Sequence, residues 1–329
     1  MTVALAELLE TARVVALPMA TRFRGIDVRE ALLMRGPAGW TEFSPFVEYG
    51  DAEAAAWLSA AIDFGWREVP LPSGAPTHLR VNATLPAVGA DAVDAILDRF
   101  PGCRTVKVKV AEAGQSLSDD VARVAKARKY LGPDGRIRID ANGGWNVDEA
   151  EHAIHSLAEF DLEYVEQPCA TADELAQIRK RVKYMGIPVA ADESVRKAAD
   201  PIAVARAKAA DILIIKAQPL GGISSALKII KKAKLPVVVS SALDTSVGLS
   251  MGAHLAASIP GGTTFDSGLA TAALLAADVT ESPLLPVDGQ IPVQRVDVSG
   301  QLLDEYAASP ARTQWWLDRL TRTRALLAD

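Results

Sequence analysis

The chain has 329 residues, 49% of them hydrophobic and 23% charged, enough for one large domain or two modest ones. A formal net charge of −6 and a pI near 5.4 argue against a nucleic-acid partner, and no run reaches the roughly 18 apolar residues of a membrane span. The N-terminus carries acidic residues where a signal peptide needs basic ones, and Cys103 and Cys169 form no disulfide or zinc pattern, so a soluble protein of a reducing cytoplasm is expected.

Along the first eighty residues, "ARVVALPM", "VREALLMRG" and "GWTEFSPF" predict short strands, with "GPAG" turning between the last two. "DAEAAAWLSAAIDFGW" predicts an amphipathic helix with Asp51 as its N-cap. Strands followed by a helix make an α+β unit. From about residue 79 short apolar strands alternate with helical stretches. The predicted strands are "LRVNATL", "TVKVKV", "RIRID", "LEYVEQ", "IPVAAD", "DILIIKA", "LPVVVSS" and "TTFDSG". Between them lie seven helical stretches, among them "SDDVARVAKARKYLG", "RKAADPIAVARAK" and "GLSMGAHLAASI". Eight such units predict a (β/α)8 barrel. An open doubly wound sheet would need a Gly-rich first turn, which "NATLPAVG" lacks. The tail from about Pro283 is expected to pack back on the N-terminal unit.

In "RTVKVKV" the period of two turns Lys107 and Lys109 to one face of a strand. A closed barrel leaves that strand no solvent face, so both ammonium groups point inward near the C-terminal rim, where barrel enzymes keep their active sites. A buried lysine needs a counter-charge or loses its proton. The acids stand at neighbouring strand ends: Asp140 closes "RIRID", Glu166 lies in "EYVEQP" and Asp192 in "VAADES", at equal intervals of one strand–helix unit. A lone Asp at a strand end is usually a helix cap; three at one repeat outweigh that explanation. Such like charges share a dry site when a cation holds them together, and oxygen-only donors favour a hard ion, Mg2+. Lys216 ends the apolar run "DILIIKA" and either snorkels to the rim or does chemistry. Opposite Lys109 across a metal, it completes a site suited to removing a proton next to a carboxylate, with Lys107 lowering the pKa of Lys109. In "SSALDTSVG" the hydroxyls of Ser240 and Ser241 either hold a substrate carboxylate or cap a helix. A metal-free Schiff-base aldolase and a binding protein with a decayed site are the competing classes.

The set "KVKV", "DANGGW", "EYVEQP", "ADES" and "IIKAQPLGG" resembles the enolase superfamily, in its muconate-lactonising branch. The resemblance covers nearly the whole chain. It implies an α+β capping domain (1–78, completed by the tail 286–329) over a modified barrel (79–285). It implies Asp140, Glu166 and Asp192 as Mg2+ ligands, Lys109 as general base, and Lys216 as a cation over the enolate ring. Arg24, in the loop that closes over substrate, is the candidate partner for a substrate carboxylate. "RFRGIDVREALLMRGPAGWTEFSPF" and "SSALDTSVGLSMGAHLAAS" further imply a dehydratase that aromatises a succinyl-hydroxycyclohexadiene carboxylate for menaquinone synthesis. Racemisation of N-succinylamino acids or epimerisation of dipeptides on the same scaffold is the alternative. The expected partner is a small-molecule carboxylate, with no nucleic acid and no membrane; the oligomeric state is left open.

Overall fold

The structure, a computed structural model, describes residues 3–198 and 200–327. After a short helix α1 (Leu5–Glu10), strands β1 (Arg13–Phe23), β2 (Ile26–Gly36) and β3 (Gly39–Phe43) form an antiparallel sheet in that order. The β1–β2 hairpin turns at Arg24 and Gly25, both at positive φ (51° and 75°). The loop expected to close over substrate is thus the tip of a long hairpin. Helix α2 (Asp51–Trp66) packs on β3. Its N-cap is Gly50, not Asp51: the Asp51 carboxylate sits one residue inside and accepts from Arg322 Nε at 2.8 Å, while still facing the positive helix end.

The predicted first barrel strand divides in two. β4 (His78–Arg80) pairs antiparallel with a strand of the tail, and only β5 (Ala83–Leu85) enters the barrel sheet. There follow α3 (Val93–Leu97), β6 (Thr105–Lys109), α4 (Leu117–Leu131), β7 (Arg136–Asp140), α5 (Val147–Leu157), β8 (Leu162–Glu166), α6 (Ala172–Val182) and β9 (Val189–Ala191). Helices α4, α5 and α6 each start in a capping box, Ser116 with Asp119, Asn146 with Glu149 and Thr171 with Glu174. Where one long helix is predicted over "RKAADPIAVARAK", two single turns stand instead, α7 (Glu193–Arg196) and α8 (Ala203–Arg206). Pro201 explains the break, since it disfavours helix at the residue before it and brings no N–H. Strand β10 (Ile212–Ile215), α9 (Ile223–Ala233), β11 (Val237–Val239) and α10 (Ser246–Ala257) complete the alternation.

Strands β5 to β11 form one parallel sheet of seven in chain order. The eighth predicted strand, "TTFDSG", is reduced to bridges. Its Ser267 exchanges backbone hydrogen bonds with Arg80 and Asn82 on one edge, and Gly268 does so with Val239 and Ser241 on the other. Those bonds join the first and last strands and curl the sheet into a ring. Below the rim, Arg138 plugs the interior, its guanidinium 4.9 Å from the Tyr164 ring centroid and 2.9 Å from Asn82 Oδ1.

The tail holds β12 (Gln290–Pro292), which pairs with β4, then α11 (Gly300–Glu305) and α12 (Pro310–Ala325), with proline at its first turn. Arg312 of α12 grips Glu30 of β2 with two bonds (2.8 and 2.5 Å), and Trp316 donates to the same carboxylate at 3.0 Å while standing edge-on to Phe43. The tail therefore does pack on the N-terminal sheet. Among the described residues no helix is long and apolar enough to cross a membrane.

Candidate active site

Register builds the site. Lys109 on β6 lies beside Asp140 on β7, and Asp140 beside Glu166 on β8. Strand period then aims Lys107, one step below, into the same interior. Lys109 Nζ donates to Asp140 Oδ2 at 2.5 Å and to Asn142 Oδ1 at 2.7 Å. Lys107 Nζ donates to both Glu166 oxygens (2.9 and 3.1 Å) and lies 3.2 Å from Asp140 Oδ2. Asp192 does not share this level. It stands past the end of β9, two residues beyond Ala190, the partner of Glu166, and opens α7. Lys216, just past β10, reaches it with Nζ 2.6 Å from Asp192 Oδ2. Because β6 and β10 are separated by three strands of the ring, Lys109 and Lys216 approach from opposite sides.

The charges perturb one another. Burial pushes the Lys109 ammonium toward losing its proton and neighbouring Lys107 adds to that, although Asp140 opposes it; the net shift is downward. Lys107 goes the other way, because Glu166 and Asp140 outweigh the cost of its burial. Burial, with Asp140 as a like-charged neighbour, lifts Glu166 to about 8. Asp140 is held far below the usual carboxylate range, since Lys109 and Lys107 more than offset its burial. Asp192 is likewise lowered to about 2, burial being overcome by Lys216 and Arg196. The two lysines of β6 are thus pushed in opposite directions, Lys109 away from its charged form and Lys107 toward it.

Above these groups opens a small cavity of about 40 Å3. Of the sequence-predicted residues, Arg24, Lys107, Lys109, Asp192, Lys216, Ser240 and Ser241 line it, whereas Asp140 and Glu166 lie behind the lysines. The two serines are already engaged: Ser241 Oγ donates to Gly268 O at 2.9 Å and shares a hydrogen with Thr271 Oγ1, and Ser240 Oγ faces Gly268 O at 3.5 Å. Arg24 lies over the Phe46 ring at 4.1 Å, with Glu48 3.7 Å away. The structure adds residues that sequence reasoning missed. Asn142 orients Lys109; it sits two residues past Asp140 in "DANGGW", a signal available in the motif. Arg196, one helical turn after Asp192, contacts Asp192, Glu193 and, from the cap, the Tyr49 hydroxyl at 3.0 Å. The cap contact had no local signal.

Among the described residues, no group of three His, Cys, Asp or Glu side chains is drawn together closely enough to hold an ion, because ammonium groups sit between the carboxylates. The donor chemistry nevertheless fits a divalent cation. Asp192 Oδ1 is buried without a hydrogen-bond partner, although Arg196 Nε lies 3.3 Å away. All donors are oxygens, the set hard ions prefer. The acids Asp140, Glu166, Asp192 and Glu193 are each paired with a cation among Lys107, Lys109, Lys216 and Arg196.

The chain matches models of two consecutive domains, "Enolase N-terminal domain-like" over residues 14–65 and "Enolase C-terminal domain-like" over residues 89–297. It is 53% identical to the o-succinylbenzoate synthase of Thermobifida fusca over 318 residues, 96% of each chain. It is 51% identical to that of Mycolicibacterium smegmatis over 98% of each, and 50% identical to that of Mycobacterium tuberculosis over 97% of this chain and 95% of the relative. Among solved structures, the muconate lactonizing enzyme of Pseudomonas putida has a TM-score of 0.73 at 19% identity, covering 90% of this chain and 98% of its own. The L-Ala-D/L-Glu epimerase of Bacillus subtilis has 0.72 at 24%, covering 87% and 96%. These two share the fold: a curled parallel sheet beneath an antiparallel cap. With both enolase-like domains in order and half of its residues shared along nearly its full length with those bacterial proteins, this chain belongs to the o-succinylbenzoate synthases of the enolase superfamily.

Proposed function

We propose that this chain removes water from 2-succinyl-6-hydroxy-2,4-cyclohexadiene-1-carboxylate to give 2-succinylbenzoate. The observation that carries this is its identity of about one half, over nearly the full chain, to relatives that all bear that one activity. The cavity supports it. Five cationic side chains (Arg24, Lys107, Lys109, Arg196 and Lys216) line the walls, suiting a substrate with two carboxylates. Lys109, whose burial lowers its pKa from the ordinary lysine value, takes the proton next to the ring carboxylate. Asn142 and Asp140 fix its Nζ. The same amine then returns the proton to the departing hydroxyl, so one base on one face balances the elimination and the ring becomes aromatic. Lys107 stays charged against Glu166 and Asp140 and disfavours reprotonation of its neighbour. Lys216 places an ammonium on the opposite side, over the developing negative charge.

Asp140, Glu166 and Asp192 are the residues that would hold a divalent cation, Mg2+ by their oxygen donors. When bound, such an ion supplies Lewis-acid stabilisation of the carboxylate as charge builds on it. The division into a cap (1–78 with 286–329) and a barrel (79–285) belongs to the same proposal, supported by the seam between Glu30 and Arg312. An ultraviolet assay for the aromatic product, with Mg2+ and with chelator, tests it. Product formed only with the metal is expected. Racemisation of N-succinylamino acids far faster than formation of 2-succinylbenzoate would overturn it.

A further inference from the structure

The cap meets the barrel around a carboxylate that the chemistry above does not use. Glu42, on β3, is fully buried and accepts from four donors. Its Oε2 takes the Thr245 backbone N–H (3.1 Å), the Thr245 hydroxyl (2.6 Å) and the Gly248 N–H (3.0 Å); its other oxygen takes the Ser44 hydroxyl at 2.5 Å. Thr245 is the N-cap of α10, so a cap residue satisfies the exposed amides of a barrel helix. Gly248 is needed for that approach: a Cβ there would stand 2.8 Å from Glu42 Oε2 and 2.7 Å from Asp244 Cβ. Arg29, on β2, completes the grip. It donates to Leu243 O at 2.9 Å and, through Nη2, to Ser44 O at 2.5 Å and Ser44 Oγ at 3.0 Å.

The segment held in this way is the one that walls the cavity, Ser240 to Leu243. Leu243 adopts φ of 62°, a conformation a branched side chain takes only where its surroundings impose it. We propose that Glu42, with Arg29, is a positioning residue. It clamps the segment 240–245 against the cap in the shape that receives substrate, so that binding depends on a carboxylate that does not touch it. Stability alone gives weak reason for such a group, because buried charges are often replaced by apolar side chains without loss. Burial, together with neighbouring Asp244, pushes Glu42 up to about 7. The fold retains it at that cost.

The substrate in the test rests on the dehydratase assignment, so a second readout is independent of turnover. Glu42→Ala is expected to raise KM for the cyclohexadiene substrate about tenfold, the worth of one charged hydrogen bond, with kcat changed less than about threefold. Amide hydrogen exchange over 240–248 should quicken by a similar factor while β6 to β8 exchange as in the parent. Glu42→Gln, which keeps an acceptor for Thr245 and Gly248, should restore KM. Glu30→Gln, which loosens the cap at the Arg312 seam, is the control: a lower Tm with KM and exchange at 240–248 unmoved. If Glu42→Ala does not fold, Thr245→Val, lacking one of the four donors, should show the same changes at about threefold. Unchanged KM and exchange in the folded Glu42→Ala variant, or equal rises in Glu30→Gln, would overturn the proposal. A parent protein that makes no 2-succinylbenzoate would sink the dehydratase assignment, and the exchange measurement would still decide the role of Glu42.

Discussion

Lys109 is the residue on which the proposed chemistry turns, and two substitutions separate base from bystander. Lys109→Met keeps the methylene stem but removes the amine. No second base stands ready: Lys107 is committed to Glu166 and Asp140, and Lys216 to Asp192 on the far side. The loss should therefore fall at the upper end for a general base, about 10^4-fold in kcat, or ~5.5 kcal/mol of barrier. The fold should tolerate the change, because Asp140 keeps Lys107 at 3.2 Å and a desolvated ammonium has been removed rather than stranded. Lys109→Arg sharpens the case. A guanidinium preserves the positive charge beside Asp140 but cannot give up its proton near neutral pH. If Lys109 acts only through its charge, the arginine variant should stay active; if it is the base, both variants should fail alike. The assay follows 2-succinylbenzoate by its ultraviolet absorbance under saturating Mg2+, with thermal melts alongside. More than about 1% of parental turnover in either folded variant would refute the assignment of Lys109 as the base.

Three further outcomes are expected. Asp192→Asn should weaken Mg2+ binding by at least about tenfold, measured by calorimetry on the protein without substrate; unaltered affinity would remove Asp192 from the ligand set. His254 is buried against Phe64 with Nδ1 on Ser250 O, and burial, with Arg295 nearby, lowers its pKa below the ordinary 6.5. Its contribution is therefore fully present above pH ~6.5 and is lost as pH falls through its folded pKa, so Tm measured from pH 7.5 to 5.5 should fall less in His254→Gln than in the parent. Gly36→Ala sets a Cβ 2.1 Å from Gly65 O, a backbone atom that no rotamer change can move. The cap should lose about 3 kcal/mol or more, seen as a lowered denaturation midpoint; a midpoint equal to the parent's would show that the β2–α2 contact yields more easily than its geometry suggests.

Much of the site could be seen in the strands themselves. Alternation in "RTVKVKV" is a property of seven residues, and it correctly turns Lys107 and Lys109 into the barrel. The equal intervals from Asp140 to Glu166 to Asp192 reflect one strand–helix unit each, and for Asp140 and Glu166 the register agrees. For Asp192 the spacing was less informative, since β9 ends at Ala191 and the side chain projects from the start of α7. The eighth strand failed for a related reason. "TTFDSG" contains one bridge residue for each edge of the sheet, and a segment that only closes a ring needs no apolar period of its own. Asp51 had the right residue type for an N-cap, but an arginine 271 positions away competes for its carboxylate.

The sequence by itself determined the strand–helix alternation of the barrel, the inward lysine pair and the acids Asp140 and Glu166 at their strand ends, because each of these follows from a local period, which neighbouring residues dictate. Only the tertiary structure decided which ammonium meets which carboxylate, that Asn142 and Arg196 join the site, and that Glu42 and Arg29 of the cap hold the segment after β11. Those pairings span up to 214 residues of chain. They depend on where two sheets come to rest against each other, and no spacing along a single strand encodes that.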